Sequence, residues 1–311
     1  MVNGSHLTEF DGKPVVDFRP GMTLNPETTT YRLRRDYGDE FEFADLFAEF
    51  VSSDGADRVT GLITGAYSEE MFDESEGMGS VVEAVVAAAP QLASLTALFL
   101  GDIVMEENEI SWIWQSDLSP LWTAYPRLQT LMVRGGQGLD LGSVVHDQLR
   151  TLIIQTGGLP RQVVQQVAAA KLPELRHLEL YLGEENYGGD STVDDLRPFF
   201  ADVLFPKLKY LGIKNSPLQN DIAVMAAESP VVKHLEVLDL SLGTLTDEGA
   251  QALLAHADQL SGLKLLNLEH HFLTTEVMNQ LQALPIEVNT AGQEQPDRYG
   301  DEIYRYISVS E

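Results

Sequence analysis

The sequence has no cysteine and little positive charge. Without a thiol there can be no disulfide, no thiolate metal site and no cysteine nucleophile. Twenty Lys and Arg stand against 48 Asp and Glu, a formal charge of −28. Phosphate backbones and anionic lipid surfaces repel such a chain, so neither nucleic acid nor a membrane is an expected partner. No apolar run approaches the roughly 20 residues of a membrane span. The opening MVNGSHLTEFDGKP lacks the basic start and apolar stretch of a secretory signal, which predicts a cytoplasmic location. Walker, GxGxxG and GxSxG motifs are missing, and RGGQG at 134–138 is too short and isolated to cradle phosphate. The acidic runs at 69–76 and 106–109 show no DxDxDG spacing, so no metal or cofactor is expected. They read as solvated surface or as a patch for a basic protein.

What the sequence does have is one eleven-residue pattern, LxxLxL followed by a turn and another leucine. It returns as LRTLIIQTGGL at 149–159, LKYLGIKNSPL at 208–218, LEVLDLSLGTL at 235–245 and LKLLNLEHHFL at 263–273. Aligning the middle leucine picks out Leu98, Leu131, Leu152, Leu178, Leu211, Leu238 and Leu266. Their spacing is irregular but centred on the length of a strand-plus-helix unit, and it predicts about eight or nine strands. Helical segments are expected at 81–89, 162–170, 220–227 and 246–257, the last with Thr246 as N-cap. Strand, helix, strand in short succession implies parallel strands with right-handed crossovers. In each strand positions one, four and six point into the core and positions three, five and seven face the other way. Position nine carries Gly136, Gly157, Gly183, Ser216, Gly243 and His271, and glycine is expected to supply a positive-φ turn.

These repeats resemble leucine-rich-repeat proteins, closest in spacing to the ribonuclease-inhibitor-like class with its TDEGAQALLA-style helices. The stretches GDIVMEENEISWIWQSDLSPL, YLGEENYGGDSTVDDL and VLDLSLGTLTDEGA are further similar to an uncharacterised bacterial leucine-rich-repeat family often encoded beside radical-SAM enzymes. The resemblance implies an α/β fold. It would be a right-handed leucine-rich-repeat solenoid, a horseshoe with a parallel concave sheet, convex helices and an α+β N-terminal cap. Residues 1–55 would form the cap, 56–290 a solenoid of about eight repeats, and 291–311 a tail or edge strand. Within the cap, 15–18 and 31–34 read as strands, and Phe43, Leu46, Phe47, Phe50 and Val51 as one helical face.

The resemblance supplies no active site, and it implies a protein-interaction scaffold, not an enzyme. Its partner would be a protein, basic or an enzyme of the same gene cluster. The concave columns name the candidate contacts: Phe99, Met132 and Ile153 as apolar anchors, with Arg134, Glu179, Tyr181, Lys214, Asp239 and Glu269 giving polar specificity. Two long loops, 103–120 and 183–192, add Trp112, Trp114 and Tyr187 at the C-terminal edge of the strands, as interface anchors or as plugs of an irregular repeat. Two alternatives remain at this level. One is a hydrolase or metal-dependent enzyme built on the acidic 184–190 loop with His270 nearby; the other is a self-associating structural protein. His270 and His271 are neighbours that an extended strand points to opposite sides, so turn structure is their simpler role.

Overall fold

The computed structural model describes residues 4–36, 38–68, 77–201 and 204–310; the acidic run at 69–76 lies outside them. The chain divides into two compact units. The first is formed by residues up to 155 with 169–173, the second by 156–168 and 174–310.

In the first unit the strands are β1 (Glu9–Phe10), β2 (Lys13–Asp17), β3 (Thr30–Leu33), β4 (Gly61–Thr64), β5 (Ala97–Leu100), β6 (Thr130–Arg134) and β7 (Thr151–Gln155). From β2 to β7 they pair in parallel and in chain order, while β1 turns back antiparallel on β2. Tyr31, Leu62, Leu98, Leu131 and Leu152 fall opposite one another in the register, and all are buried. The strands expected at 15–18 and 31–34 are thus β2 and β3, which continue the same ladder with Tyr31 in the leucine position. Helices α1 (Phe43–Ser52) and α2 (Gly79–Ala87) and the single turn α3 (Leu121–Ala124) connect them. Helix α1 buries Phe43, Leu46, Phe47 and Phe50, the stripe that i, i+3, i+4, i+7 spacing dictates.

The second unit repeats the scheme with β8 (His177–Tyr181), β9 (Tyr210–Lys214), β10 (Val237–Asp239), β11 (Leu265–Asn267) and β12 (Glu287–Asn289). Leu178, Leu211, Leu238, Leu266 and Val288 share one register across these parallel strands. Its helices are α4 (Arg161–Ala168), the short α5 (Val193–Leu196) and α6 (Pro198–Ala201), α7 (Gln219–Glu228), α8 (Asp247–Ala255), α9 (Ala257–Leu260) and α10 (Thr275–Gln282). A separate antiparallel hairpin, β13 (Asp297–Tyr299) with β14 (Glu302–Tyr304), follows. It leaves Tyr299, Ile303, Tyr304 and Tyr306 exposed, whereas Ile307 and Val309 are buried. Leucines stacked in one direction with helices between parallel strands define the fold class as an α/β leucine-rich-repeat solenoid.

The turns differ from expectation. Positive φ falls mainly at position eight, on Gly135, Asn215, Leu242 and His270; of the position-nine residues only Gly183 adopts it. At Gly243 the small residue has a different reason, which is the close approach of the preceding repeat. A Cβ on Gly243 would lie 2.7 Å from the Ser216 carbonyl oxygen. His271 bonds the turn directly, Nδ1 accepting from Leu273 N–H and Nε2 lying 3.0 Å from the Thr290 carbonyl. Thr246 is the N-cap residue of α8, but its side chain makes no cap bond. Asn220 of the preceding repeat supplies it instead, its Oδ1 accepting from the N–H groups of Thr246 and Gly249. A side chain reaching across repeats thus replaces the local cap.

At Gly183, φ is +69°, and a Cβ there would stand 1.9 Å from the Gly157 carbonyl oxygen. Gly183→Ala should therefore cost at least about 3 kcal/mol, a left-handed penalty of about 1–2 kcal/mol plus displacement of backbone. Gly300→Ala, at φ +65° with nothing within 4 Å, should cost only about 1–2 kcal/mol. Urea unfolding of the two variants checks the contrast.

Candidate interaction site

On the sheet face lined by positions three, five and seven, the second unit gathers a compact charged cluster. Lys214, at the end of β9, places its Nζ 2.7 Å from Asp239 Oδ2 and 2.7 Å from Glu179 Oε2. Tyr210 donates its hydroxyl to Asp239 at 2.6 Å, and Ser241 N–H donates to the other carboxylate oxygen at 3.0 Å. His177 Nε2 lies 2.6 Å from Glu179 and its ring stacks on Tyr210, with centroids 3.9 Å apart. Tyr181 sits under the ammonium, 4.8 Å from ring centroid to Nζ. Burial works against the charges, yet their mutual attraction prevails. Asp239 and Glu179 hold the Lys214 ammonium above its ordinary value and are themselves held below theirs, Glu179 with help from His177. Burial, reinforced by Asp239, raises the Tyr210 hydroxyl.

Of the predicted contacts, Glu179, Tyr181, Lys214 and Asp239 therefore do come together, but Tyr181, Lys214 and Asp239 are buried. They are the foundation of the face; its solvent edge is formed by His177, Tyr210 and part of Glu179. Glu269, on the neighbouring β11 repeat, is exposed.

The first unit carries a second charged network on its corresponding face. Asp102 is fully buried; it accepts from Arg32 Nη1 at 2.8 Å, with Arg134 Nη1 at 3.4 Å. Arg32 and Arg34 share Asp17, and Arg34 also reaches Glu107 at 3.1 Å. Arg134, predicted as a polar contact, is almost fully buried, with its guanidinium 5.3 Å over the Phe99 ring and a bond to the Ile103 carbonyl. The apolar anchors are also covered. Phe99 and Met132 pack in one cluster with Ile63, Ala97 and Phe10, while Leu7, Val15 and Ile153 lean on it. An unsatisfied apolar stripe on a solvated sheet face is unfavourable, and the chain's own residues 6–10 remove it from water.

Among the loop residues, Trp112 is 49% exposed and lines an open groove of about 450 Å³ with Met105, Glu106, Glu107, Asn108 and Glu109. Trp114 is half-buried and forms a bridge with Gln137. Tyr187 lies in a single 3-10 turn of the 184–190 loop. That loop borders a cleft of about 310 Å³ shared with Ser216, Pro217 and Leu218. His270 does not line it; its Nε2 lies 3.1 Å from the Tyr306 carbonyl. Among the described residues no group of three or more His, Asp or Glu is placed to hold a metal ion, and no helix is long and apolar enough to cross a membrane.

His6, Asp102, Arg32, His177 and Tyr210 were missed by the sequence columns. His177 and Tyr210 stand at position three, so the same alignment contains them. His6 and Asp102 are 96 residues apart in the chain and carry no periodic signal.

This is the architecture of a leucine-rich-repeat protein. A crystal structure of a protein from Bacteroides fragilis is similar to it at 32% sequence identity with a TM-score of 0.81, over 91% of this chain and 78% of that one. The chain belongs to the same family as that Bacteroides fragilis protein. An internalin from Listeria monocytogenes is a remote match, 14% identical with a TM-score of 0.41, over 87% of this chain and 62% of that one. No protein-family model and no curated protein matches the sequence.

Two predictions follow from the charged networks. Lys214→Met strands the buried Asp239 and the partly buried Glu179 and should lower stability by about 3–5 kcal/mol near pH 7. Because Glu179 and Asp239 would then have raised rather than depressed pKa values, the deficit should shrink as pH falls towards about 4.5 and they take up protons. Urea titrations of variant and parent at both pH values measure this. The second concerns His6, whose pKa is raised from 6.5 to about 9; burial opposes the charge, and the Asp102 and Glu107 carboxylates outweigh it. A folded-state pKa above the unfolded one stabilises fully below about 6.5, and the benefit is lost as pH rises through about 9. The thermal midpoint of the parent should therefore fall towards that of His6→Gln across this window.

Proposed function

We propose that this chain is a non-catalytic protein-interaction scaffold whose contact surface is centred on the β8–β9–β10 face and whose partner is basic. The observation that carries this reading is the composition of that cluster. Two carboxylates face one ammonium, so the buried foundation has residual negative charge, and above it the stacked His177 and Tyr210 present a flat, partly exposed aromatic edge. Rigid aromatic groups on a pre-paired ionic base give a cationic side chain both a ring to lie against and a potential to follow. The overall charge of −28 favours the same partner sign. Glu269, exposed on the adjoining repeat, extends the acidic rim. Resemblance to a family encoded beside radical-SAM enzymes makes a basic surface of such an enzyme the first partner to try, in the cytoplasm.

A photo-crosslinking residue at Tyr210 tests the surface against one at Gln251, an exposed position on α8. Crosslinks to a discrete partner should form from position 210, at least tenfold over position 251, and weaken with added salt. Equal labelling from both positions would remove the proposal.

A further inference from the structure

The first unit shows what its own face accepts. From β2 the chain turns at Asp11 and Gly12, both with positive φ, the tight hairpin conformation, and β1 then pairs with β2 through only two residue pairs. Residues 6–8 extend from that short ladder, and His6 and Leu7 reach the loop after β5. The Phe10 ring packs 6.2 Å from Phe99, and Leu7 leans on the same cluster. Leu7 donates its N–H to Asp102 at 3.2 Å, and its carbonyl accepts from Arg32 at 3.1 Å. His6 places Nε2 3.3 Å from Glu107 and Nδ1 3.6 Å from Asp102. Gly4, Ser5, Thr8 and Glu9 are exposed. The side chains of His6, Leu7 and Phe10 and the Leu7 amide thus hold the segment, with the carbonyls of Leu7, Thr8 and Phe10 accepting from Arg32, Val15 N–H and the Thr30 hydroxyl.

The face beneath does not need this segment to satisfy its charges. Asp102 already has Arg32 and Arg134, and Arg34 already has Asp17 and Glu107. His6 Nδ1 makes no hydrogen bond and stands 3.6 Å from Asp102, so on that side His6 adds charge attraction to a carboxylate that is already paired. What the segment contributes is cover for Ile63, Phe99 and Met132, with a cation set between two carboxylates. Another extended chain carrying the same groups would do both.

We propose that residues 6–10 are an intramolecular ligand. The β4–β7 face is a docking groove for an extended peptide of the pattern basic–Leu–x–x–aromatic, and the chain's own His6–Leu7–Thr8–Glu9–Phe10 holds it closed until a partner segment displaces it. This groove is distinct from the β8–β10 surface, and its test does not depend on that reading.

The probe is a fluorescent peptide of residues 4–12, GSHLTEFDG, titrated by anisotropy into the full chain and into the full-length double variant Leu7→Ser/Phe10→Ser. A tethered segment competes at an effective concentration near the millimolar range, so the double variant should bind the probe at least tenfold more tightly than the parent. A probe with its Leu and Phe changed to Ser should bind neither. Equal or absent binding by a variant that unfolds cooperatively overturns the proposal, and so does a variant that no longer folds, because the segment would then be a fixed part of the core. Hydrogen exchange on the parent gives a second reading. The Leu7 amide should open at least a hundredfold more often than that of Phe99, and exchange of both only through global unfolding also overturns it.

Discussion

A leucine at position four of a single repeat has no core of its own. One strand and one short helix cannot enclose it, and it leaves water only when the next repeat lays its own leucine in the same register. In each unit these leucines pair across neighbouring strands and are fully buried. A slip of one residue would turn every one of them to the opposite face, so the register is fixed by burial alone. Whatever stands at positions three, five and seven is then carried into columns about 4.8 Å apart, regardless of its chemistry.

The charged clusters are consequences of that constraint. Glu179, Lys214 and Asp239 are separated in sequence by the length of a repeat and meet because their strands are in register. Charges brought so close must be paired or displaced, since an isolated buried charge costs several kcal/mol. Both faces resolve this by pairing. The first unit adds an apolar stretch at the same positions, which pairing cannot satisfy, and a segment outside the parallel ladder covers it.

This division also sets what could be read from sequence. The aligned leucines, the helices at 79–87, 161–168, 219–228 and 247–255, and the helical face of α1 follow from periodicity over short distances, and they stand within a few residues of expectation. The candidate columns located Glu179, Tyr181, Lys214 and Asp239 together because register is itself periodic. Their depth was not legible. Burial of Lys214 depends on the Tyr181 and Tyr210 rings beside it, and burial of Phe99 on residue 10, about ninety positions away. The turn chemistry was misplaced by one residue because asparagine, leucine and histidine, not only glycine, adopt the left-handed conformation here when neighbouring repeats bond their backbone. Leu242 keeps it while its N–H donates to the Glu269 carbonyl and its own carbonyl accepts from Ser308.

The internal pairing changes how the acidity of the chain acts. Arg32, Arg34, Arg134 and Lys214 are a substantial part of the 20 basic residues, and each is committed to carboxylates within the two faces. Those cations and the carboxylates they meet nearly balance, so the excess of −28 arises mainly outside the two paired clusters. Screening limits its reach to roughly 8 Å at physiological ionic strength. Within that distance of the surface a basic partner would gain in encounter rate, and on the proposal above its specificity would rest on places where aromatic rings reach the surface beside acids, such as His177 and Tyr210 over Glu179 and Trp112 beside Glu109. A strongly acidic surface attracts many cations weakly, and such juxtapositions would offer a cation a shaped place to stay.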